Sequence, residues 1–299
     1  MKKLIALLSL LLTLLLAQSA FAALTRLADN VYAYVGSTDA APSHSFAANA
    51  GIVIGRDGVL VVDTLISARE GERFLADIRA VTDKPIRYVV NTHTHLDHAL
   101  GNGVFAKLGA TLIAHEADRA LLATQGAAIL QRAGSYGLKP EEMVGTEVVV
   151  PTLAFSDRMT IDLGDTEVQL LRFAPSHTAG SLVVYLPAQK LLFSGDILFT
   201  DFHPNLTDAD LDGWTKTLDH LLGMDITQIV PGHGPLSTKK DLQEMRAYIV
   251  LFDSKARELA TTTQDPAIIA TELLKILPKR TLAEWMVAHN VAGRYVTKK

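Results

Sequence analysis

Between Thr92 and His98 the chain reads T-H-T-H-L-D-H, three histidines and an aspartate within six consecutive positions from His93. Water competes strongly for a divalent cation, so a protein must present several Lewis bases from a stiff local frame. Imidazole nitrogen and carboxylate oxygen are ligands that zinc and its first-row neighbours accept. The run follows the apolar, β-rich Ile86–Asn91 (I-R-Y-V-V-N). It is therefore expected on the loop leaving a buried strand, where a sheet can aim four side chains at one spot. His93 and His95, two apart in extended chain, can face the same way, while Asp97 and His98 turn toward a second point. That layout suggests two metals.

Four more segments bring a polar residue to the end of an apolar run. Val59–Thr64 (V-L-V-V-D-T) closes on Asp63, and Ala174–Gly180 (A-P-S-H-T-A-G) presents His177 just before a strand. Leu191–Asp196 (L-L-F-S-G-D) ends on Asp196, and Ile229–Gly234 (I-V-P-G-H-G) sets His233 between glycines that let backbone approach closely. Each alone is a weak signal; their order behind the His-rich loop makes the pattern. The chain has no cysteine, which excludes disulfides, a thiol nucleophile and thiolate ligands and leaves His, Asp and Glu to do the chemistry.

The elements that must position these residues alternate. Val31–Val35 and Gly51–Thr64 read as strands, the latter a hairpin turning at Arg56-Asp57-Gly58. Ala68–Val81 has helical spacing, with Phe74, Ile78 and Val81 on one side. The strand Ile86–Thr92 precedes the ligand loop; a short helix near Gly101–Leu108 and the strand Thr111–His115 follow it. Glu116–Met143 reads as mostly helical. A second β-rich half is expected from Val148, with strands at Met159–Leu163, Glu167–Phe173, Leu182–Leu186 and Lys190–Ser194. A helix over Asp208–Leu222, the strand Thr227–Val230 and a helical tail from Lys239 complete it. Two comparable halves of this kind argue for two sheets packed face to face with helices outside.

Met1-Lys2-Lys3, the Leu-rich run Leu4–Ala17 and Ala20-Phe21-Ala22 form the n-region, h-region and A-x-A pattern of a secretory signal peptide, with cleavage expected after Ala22. The apolar run of 14 residues is short for a membrane span, which takes roughly 20. The expected destination is the periplasm, with no membrane attachment after cleavage. Removing Lys2 and Lys3 moves the formal charge from −4 to −6. With no basic cluster, nucleic acid and anionic membranes are poor candidates as partners, and a small-molecule substrate is expected. The oligomeric state is left open.

On these motifs the chain resembles the metallo-β-lactamase superfamily, over roughly Arg26 to Leu236 and across all five of that family's motifs. The resemblance implies a four-layer αββα sandwich, with residues 23–299 as one such domain carrying a helical C-terminal tail, and an active site at one edge of the two sheets. It implies two zinc ions per chain: His93, His95 and His177 hold the first, Asp97, His98 and His233 the second, and Asp196 bridges them. Iron or manganese also suits such a sulfur-free ligand set. Asp63 matches the family's first motif, a residue supporting the ligand loop rather than binding metal. Of the other histidines, His115, His220 and His289 read as surface or structural, whereas His44 and His203 lie on loops that can reach a cleft and are candidates for substrate contact.

The implied mechanism is attack on a carbonyl by a hydroxide shared between two metals, with Asp97 orienting the nucleophile and relaying a proton toward the leaving group. Asp196 and Phe199 stand where many true β-lactamases of the family carry a cysteine and, three residues on, a lysine. An aspartate there resembles the thioesterase, lactonase and general hydrolase branches, so the expected substrate is an ester, lactone, thioester or amide. Glyoxalase II proper fits poorly, because its glycine-rich stretch is replaced by Ile197–Leu206. Main activity as a β-lactamase is one alternative. A mononuclear-iron oxidoreductase like the persulfide dioxygenases is a second, and a non-catalytic binding protein a third. The loop Gly36–Ala48 and the region Glu116–Met143 are expected to flank the cleft, and Trp214 to face the core.

Overall fold

The computed structural model describes residues 23–35 and 39–296, so the expected signal peptide over residues 1–22 lies outside the described residues. A seven-stranded sheet is built in sequence order: β1 (Ala23–Ala28), β2 (Val31–Val35), β3 (Ala50–Gly55), β4 (Gly58–Val62), β5 (Ile86–Val90), β6 (Thr111–His115) and β7 (Leu153–Phe155). The first three pairings are antiparallel, whereas β4, β5, β6 and β7 run parallel. A five-stranded sheet follows from β8 (Arg158–Asp162), β9 (Glu167–Leu171), β10 (Val183–Leu186), β11 (Leu191–Phe199) and β12 (Gln228–His233), with β11 and β12 parallel.

Alternation along the strands assembles the layers. Val53, Leu60, Val62, Val90 and Ile113 of the first sheet meet Val168, Leu170, Val184, Phe193 and Val230 of the second in an inter-sheet core. The intervening residues Ile52, Val59, Val61 and Val89 point to the outer face, against Phe74 and Ile78 of α1 (Ala68–Val81). Ser67 caps that helix by accepting from the Glu70 N–H at 3.2 Å. On the far side, α5 (Leu211–Gly223) and α6 (Lys239–Ala260) cover the second sheet through Trp214, Leu218, Tyr248, Ile249 and Phe252. The result is the αββα sandwich that the strand and helix order led us to expect.

Several elements differ from the sequence reading. β1 pairs with β2 at the first sheet's edge, although its residues adjoin the apolar N-terminal run and carry no independent strand signal. β7 falls in the expected second half, yet it pairs with β6 of the first sheet. β11 does not stop at Ser194 but continues to Phe199, so Asp196 lies within a strand rather than at its end. The C-terminal tail is three helices, α6, α7 (Pro266–Ile276) and α8 (Trp285–Arg294). α8 is fixed to the segment after β11: Asn290 donates to the Pro204 carbonyl at 2.8 Å, and Arg294 donates to the carbonyls of Leu206 and Ala209 at 2.7 and 2.8 Å. No helix among the described residues is long and apolar enough to cross a membrane.

Trp214 faces the core, as expected from the sequence. It is fully buried, its indole N–H donates to the Ile197 carbonyl at 2.9 Å, and its ring meets His177 edge-on at 5.3 Å. Trp214→Ala is expected to lower unfolding free energy by about 3–5 kcal/mol. Urea denaturation followed by circular dichroism measures this, and an unchanged midpoint would exclude Trp214 as a packing anchor.

Candidate metal centre

The ligand loop is held from below by one carboxylate. Asp63 follows β4 with a left-handed φ of 60°, is 2% exposed, and accepts from the Thr92 N–H at 2.8 Å and the Thr92 hydroxyl at 2.7 Å. Its Oδ2 also lies 2.9 Å from His98 Nδ1. Burial raises the Asp63 carboxyl above its ordinary value while His98 and the Thr92 donors pull it down. Past Thr92 the chain turns into α2 (Leu96–Ala99), which carries Asp97 and His98. The parallel strands β11 and β12 deliver Asp196 and His233 side by side. Gly195 (φ 48°) passes close over Thr92, and a Cβ at Gly232 would collide with Asp196 Oδ1, so both positions require glycine.

The sequence candidates then come together in two adjoining groups. His93, His95, His177 and Asp196 each offer a ligand atom within 4.8 Å of one another, as do Asp97, His98 and His233. Asp196 joins them with one oxygen each. Its Oδ2 lies 3.2 Å from His177 Nε2 and 3.6 Å from His93 Nε2; its Oδ1 lies 3.2 Å from His98 Nε2 and 3.3 Å from His233 Nε2.

The ring nitrogens that face inward are set by what the outer ones touch. His177 Nδ1 lies 3.1 Å from the Asn205 carbonyl, and His233 Nδ1 lies 3.0 Å from that of Phe46. A carbonyl only accepts, so each Nδ1 carries a proton and each Nε2 is available inside the cluster. His177 Nε2 stands 2.9 Å from His95 Nδ1. His93 Nε2 and Asp196 Oδ1 are buried with no hydrogen-bond partner. Inward lone pairs and orphaned buried acceptors are costly unless a shared cation takes them, and the donor set fits zinc, iron or manganese.

The electrostatics point the same way. Burial alone would lift the Asp196 carboxyl, but His233 and His98 beside it hold it well below the ordinary range, and Asp97 is likewise lowered. Burial would lower His98 and His233, yet the Asp196 and Asp97 carboxylates outweigh it; His98 rises well above its usual value and His233 to about 9. In the first group burial prevails at His93 and at His177, which falls to about 3, whereas burial at His95 is outweighed by Asp208, Asp97 and Asp196, which raise it. A cation at either group would replace protons as the partner of these carboxylates.

The two flanking segments meet above α2. Phe46, from the loop before β3, packs with Leu96, Ile66, Ala133, Leu138 and Met143. Ser45, Phe46 and Ala47 hold left-handed φ values of 54°, 50° and 63°, which aim the Phe46 carbonyl at His233. His44 on that loop pairs with Asp39 at 2.9 Å. His203, a substrate candidate from sequence, is instead buried, with Nδ1 2.8 Å from the Tyr248 hydroxyl; it faces the C-terminal helices. His115 caps α4 (Glu116–Gln131) by accepting from the Ala117 N–H, and His220 stacks on Phe173.

Two residues went unnoticed in the sequence. Asp208 Oδ2 stands 3.7 Å from His95 Nε2 on the exposed side of that ring. Asp118, in the first turn of α4, is 1% exposed and clasps the two loops of the first group. It accepts from the Thr94 N–H at 3.0 Å, the Thr178 hydroxyl at 3.0 Å and the Gly180 N–H at 2.9 Å. An acid in a helix's first turn is ordinarily read as a dipole partner. The spacing H-E-A-D after a buried strand was the available signal.

Removing the Asp118 carboxylate strands three buried donors, so Asp118→Ala should cost about 3–5 kcal/mol of stability, and Asp118→Asn less. An unaltered denaturation midpoint for Asp118→Ala would remove this role. His203 gives a pH test. Burial, with a smaller push from Arg280, lowers its pKa to about 4. The stability gained from its neutral form is then complete above the unfolded value near 6.5 and is lost as pH falls toward 4. Between pH 7 and pH 4.5 the chelated wild type should lose about 2–3 kcal/mol more than His203→Gln does. Equal losses in urea titrations would show that His203 is not the titrating group.

The chain is similar to several known proteins. The chain is 28% identical over 222 residues to a linear primary-alkylsulfatase of a Pseudomonas species, covering 63% of this chain and 42% of that protein. It is 25% identical over 216 residues to the metallo-beta-lactamase type 2 of Bacteroides fragilis, covering 71% and 78%. The structure of a double mutant of the sec-alkyl sulfatase PisA1 superimposes with a TM-score of 0.70 at 20% identity, covering 92% of this chain and 50% of that one. The chain thus spans about half the length of the alkylsulfatases it matches. The sequence profile of the metallo-beta-lactamase superfamily matches residues 45–233, which hold every residue of both ligand groups, and the chain belongs to that superfamily.

Proposed function

We propose that the chain is an exported hydrolase that uses two divalent cations, zinc by ligand type, to cleave an ester, lactone, thioester or amide. The supporting observation is the convergence of five imidazoles and two carboxylates into adjoining groups that share Asp196 and leave His93 Nε2 and Asp196 Oδ1 unpartnered. His93, His95, His177 and Asp196 would hold one cation, and Asp97, His98, His233 and Asp196 the other. Cations there would supply Lewis acidity toward the substrate oxygen and acidify water. The chain's own residues provide orientation. Asp63 and the Phe46 and Asn205 carbonyls fix the rings of His98, His233 and His177. Asp97 is the more open carboxylate, its side chain 11% exposed against 4% for Asp196. Asp97 therefore orients the attacking water and carries its proton toward the leaving group.

The intact second group supports this reading over a mononuclear iron oxidoreductase. A sulfate ester is the second reading, favoured by the alkylsulfatase relative, and main activity on β-lactams is kept in view by the Bacteroides fragilis relative. The export reading rests on the sequence of residues 1–22.

Protein isolated from the periplasm should carry two zinc-like ions per chain by elemental analysis and hydrolyse a member of an ester, lactone, thioester, β-lactam and alkyl sulfate panel. Chelation should abolish turnover and added zinc restore it. His95→Ala should lose activity and at least one metal with a nearly unchanged circular-dichroism spectrum. One iron per chain, or full turnover in His95→Ala, would overturn the assignment.

A further inference from the structure

The profile match ends at His233, yet the C-terminal segment reaches back to the site. Between α7 and α8, residues 280–282 lie alongside residues 199–203. Phe202 and Leu282 form a parallel bridge, the Leu282 N–H donates to the Asp201 carbonyl at 3.2 Å, and the His203 N–H donates to the Leu282 carbonyl at 3.0 Å. The Thr281 N–H donates to Asp201 Oδ1 at 2.9 Å, and Asp201 itself holds a left-handed φ of 55°. The centre of this contact is Arg280, half-buried, with one guanidinium nitrogen donating to two carbonyls, Phe199 at 2.7 Å and Phe202 at 2.8 Å. Its cation sits 4.6 Å from the Tyr248 ring centroid.

The two carbonyls belong to residues whose rings, 5.9 Å apart, pack side by side against His233. Phe199 stacks on that imidazole at 5.0 Å and 2°, and Phe202 lies 4.7 Å from it at 38°. The Thr200 N–H between them donates to the His233 carbonyl at 3.0 Å. We infer that Arg280 is a positioning residue for the second ligand group: by fixing Phe199 and Phe202 it sets the plane of His233, and with it the grip of Asp97, His98 and His233 on a cation. The inference rests on the two-cation reading. A guanidinium held by a ring face, two carbonyls and the Met245 sulfur at 3.9 Å, with no carboxylate in direct contact among the described residues, is an orienting device, since a simple stability contact would be served as well by an apolar side chain.

Metal-stripped protein titrated with cobalt(II), followed by its visible absorption, tests this. The wild type should take up two equivalents. Arg280→Met should keep the first and weaken the second about 10–100-fold, while Arg280→Lys, which retains charge and donors, should recover most of the loss. Phe202→Leu, which removes one of the packing rings without touching Arg280, should weaken the second equivalent alone. Circular dichroism of the stripped variants checks folding. Unchanged uptake in Arg280→Met, or equal loss of both equivalents, overturns the inference; if that variant does not fold, unchanged uptake in Phe202→Leu does so. A wild type that takes only one cobalt defeats the two-cation reading itself, and this inference with it.

Discussion

Two carboxylates, Asp97 and Asp196, are buried among five imidazoles at one edge of two sheets, and the cost of removing those charges from water governs the surrounding structure. An ion in a low-dielectric interior is penalised by several kcal/mol unless opposite charge stands beside it in good geometry. Here the ring protons of His98 and His233, or cations in their stead, supply that charge. Such compensation works only if every ring is held at a fixed angle and distance. Much of the fold around the cluster serves that requirement.

The holding is divided between layers. Asp63 works from the first sheet, gripping Thr92 and His98. Asp118 works from the helix beyond β6, tying the His93–His95 loop, 24 residues before it, to the His177 loop, 60 residues after it. The second sheet contributes strand geometry, since only a parallel β11–β12 pair with glycines at 195 and 232 lets Asp196 stand beside His233. Trp214 and Phe199 pack edge-on against His177, so apolar rings wall that imidazole between its Asn205 contact and its Asp196 face.

Much of this was legible in the residues themselves. The His-rich run after an apolar strand, the four other strand-end residues and the period of α1 all express local chemistry or periodicity, which survive in a linear text. What escaped is tertiary. β7 is three residues long and its partner lies across a long helical stretch, so no local pattern assigns it to the first sheet. Asp118 looks like any acid in a first turn until the Thr94 and Gly180 N–H groups are seen to point at it. His203 sits on a loop near the cleft, but its ring turns away because Tyr248, 45 residues on, offers a hydroxyl. The role of residues 280–282 depends on contacts some 80 positions apart, and no spacing rule reaches so far.

The left-handed run Ser45-Phe46-Ala47 has a cost and a purpose. Residues with a Cβ resist that conformation by about 1–2 kcal/mol each. Glycines would remove the penalty and also let the loop sample many other shapes. By building the kink from serine, phenylalanine and alanine, anchored through the Phe46 side chain, the chain accepts a locally unfavourable backbone and gains a carbonyl with little freedom to wander. The tautomer of His233 is thereby dictated by a distant piece of main chain, and swapping in more permissive residues would ease the fold while blurring the imidazole's proton address.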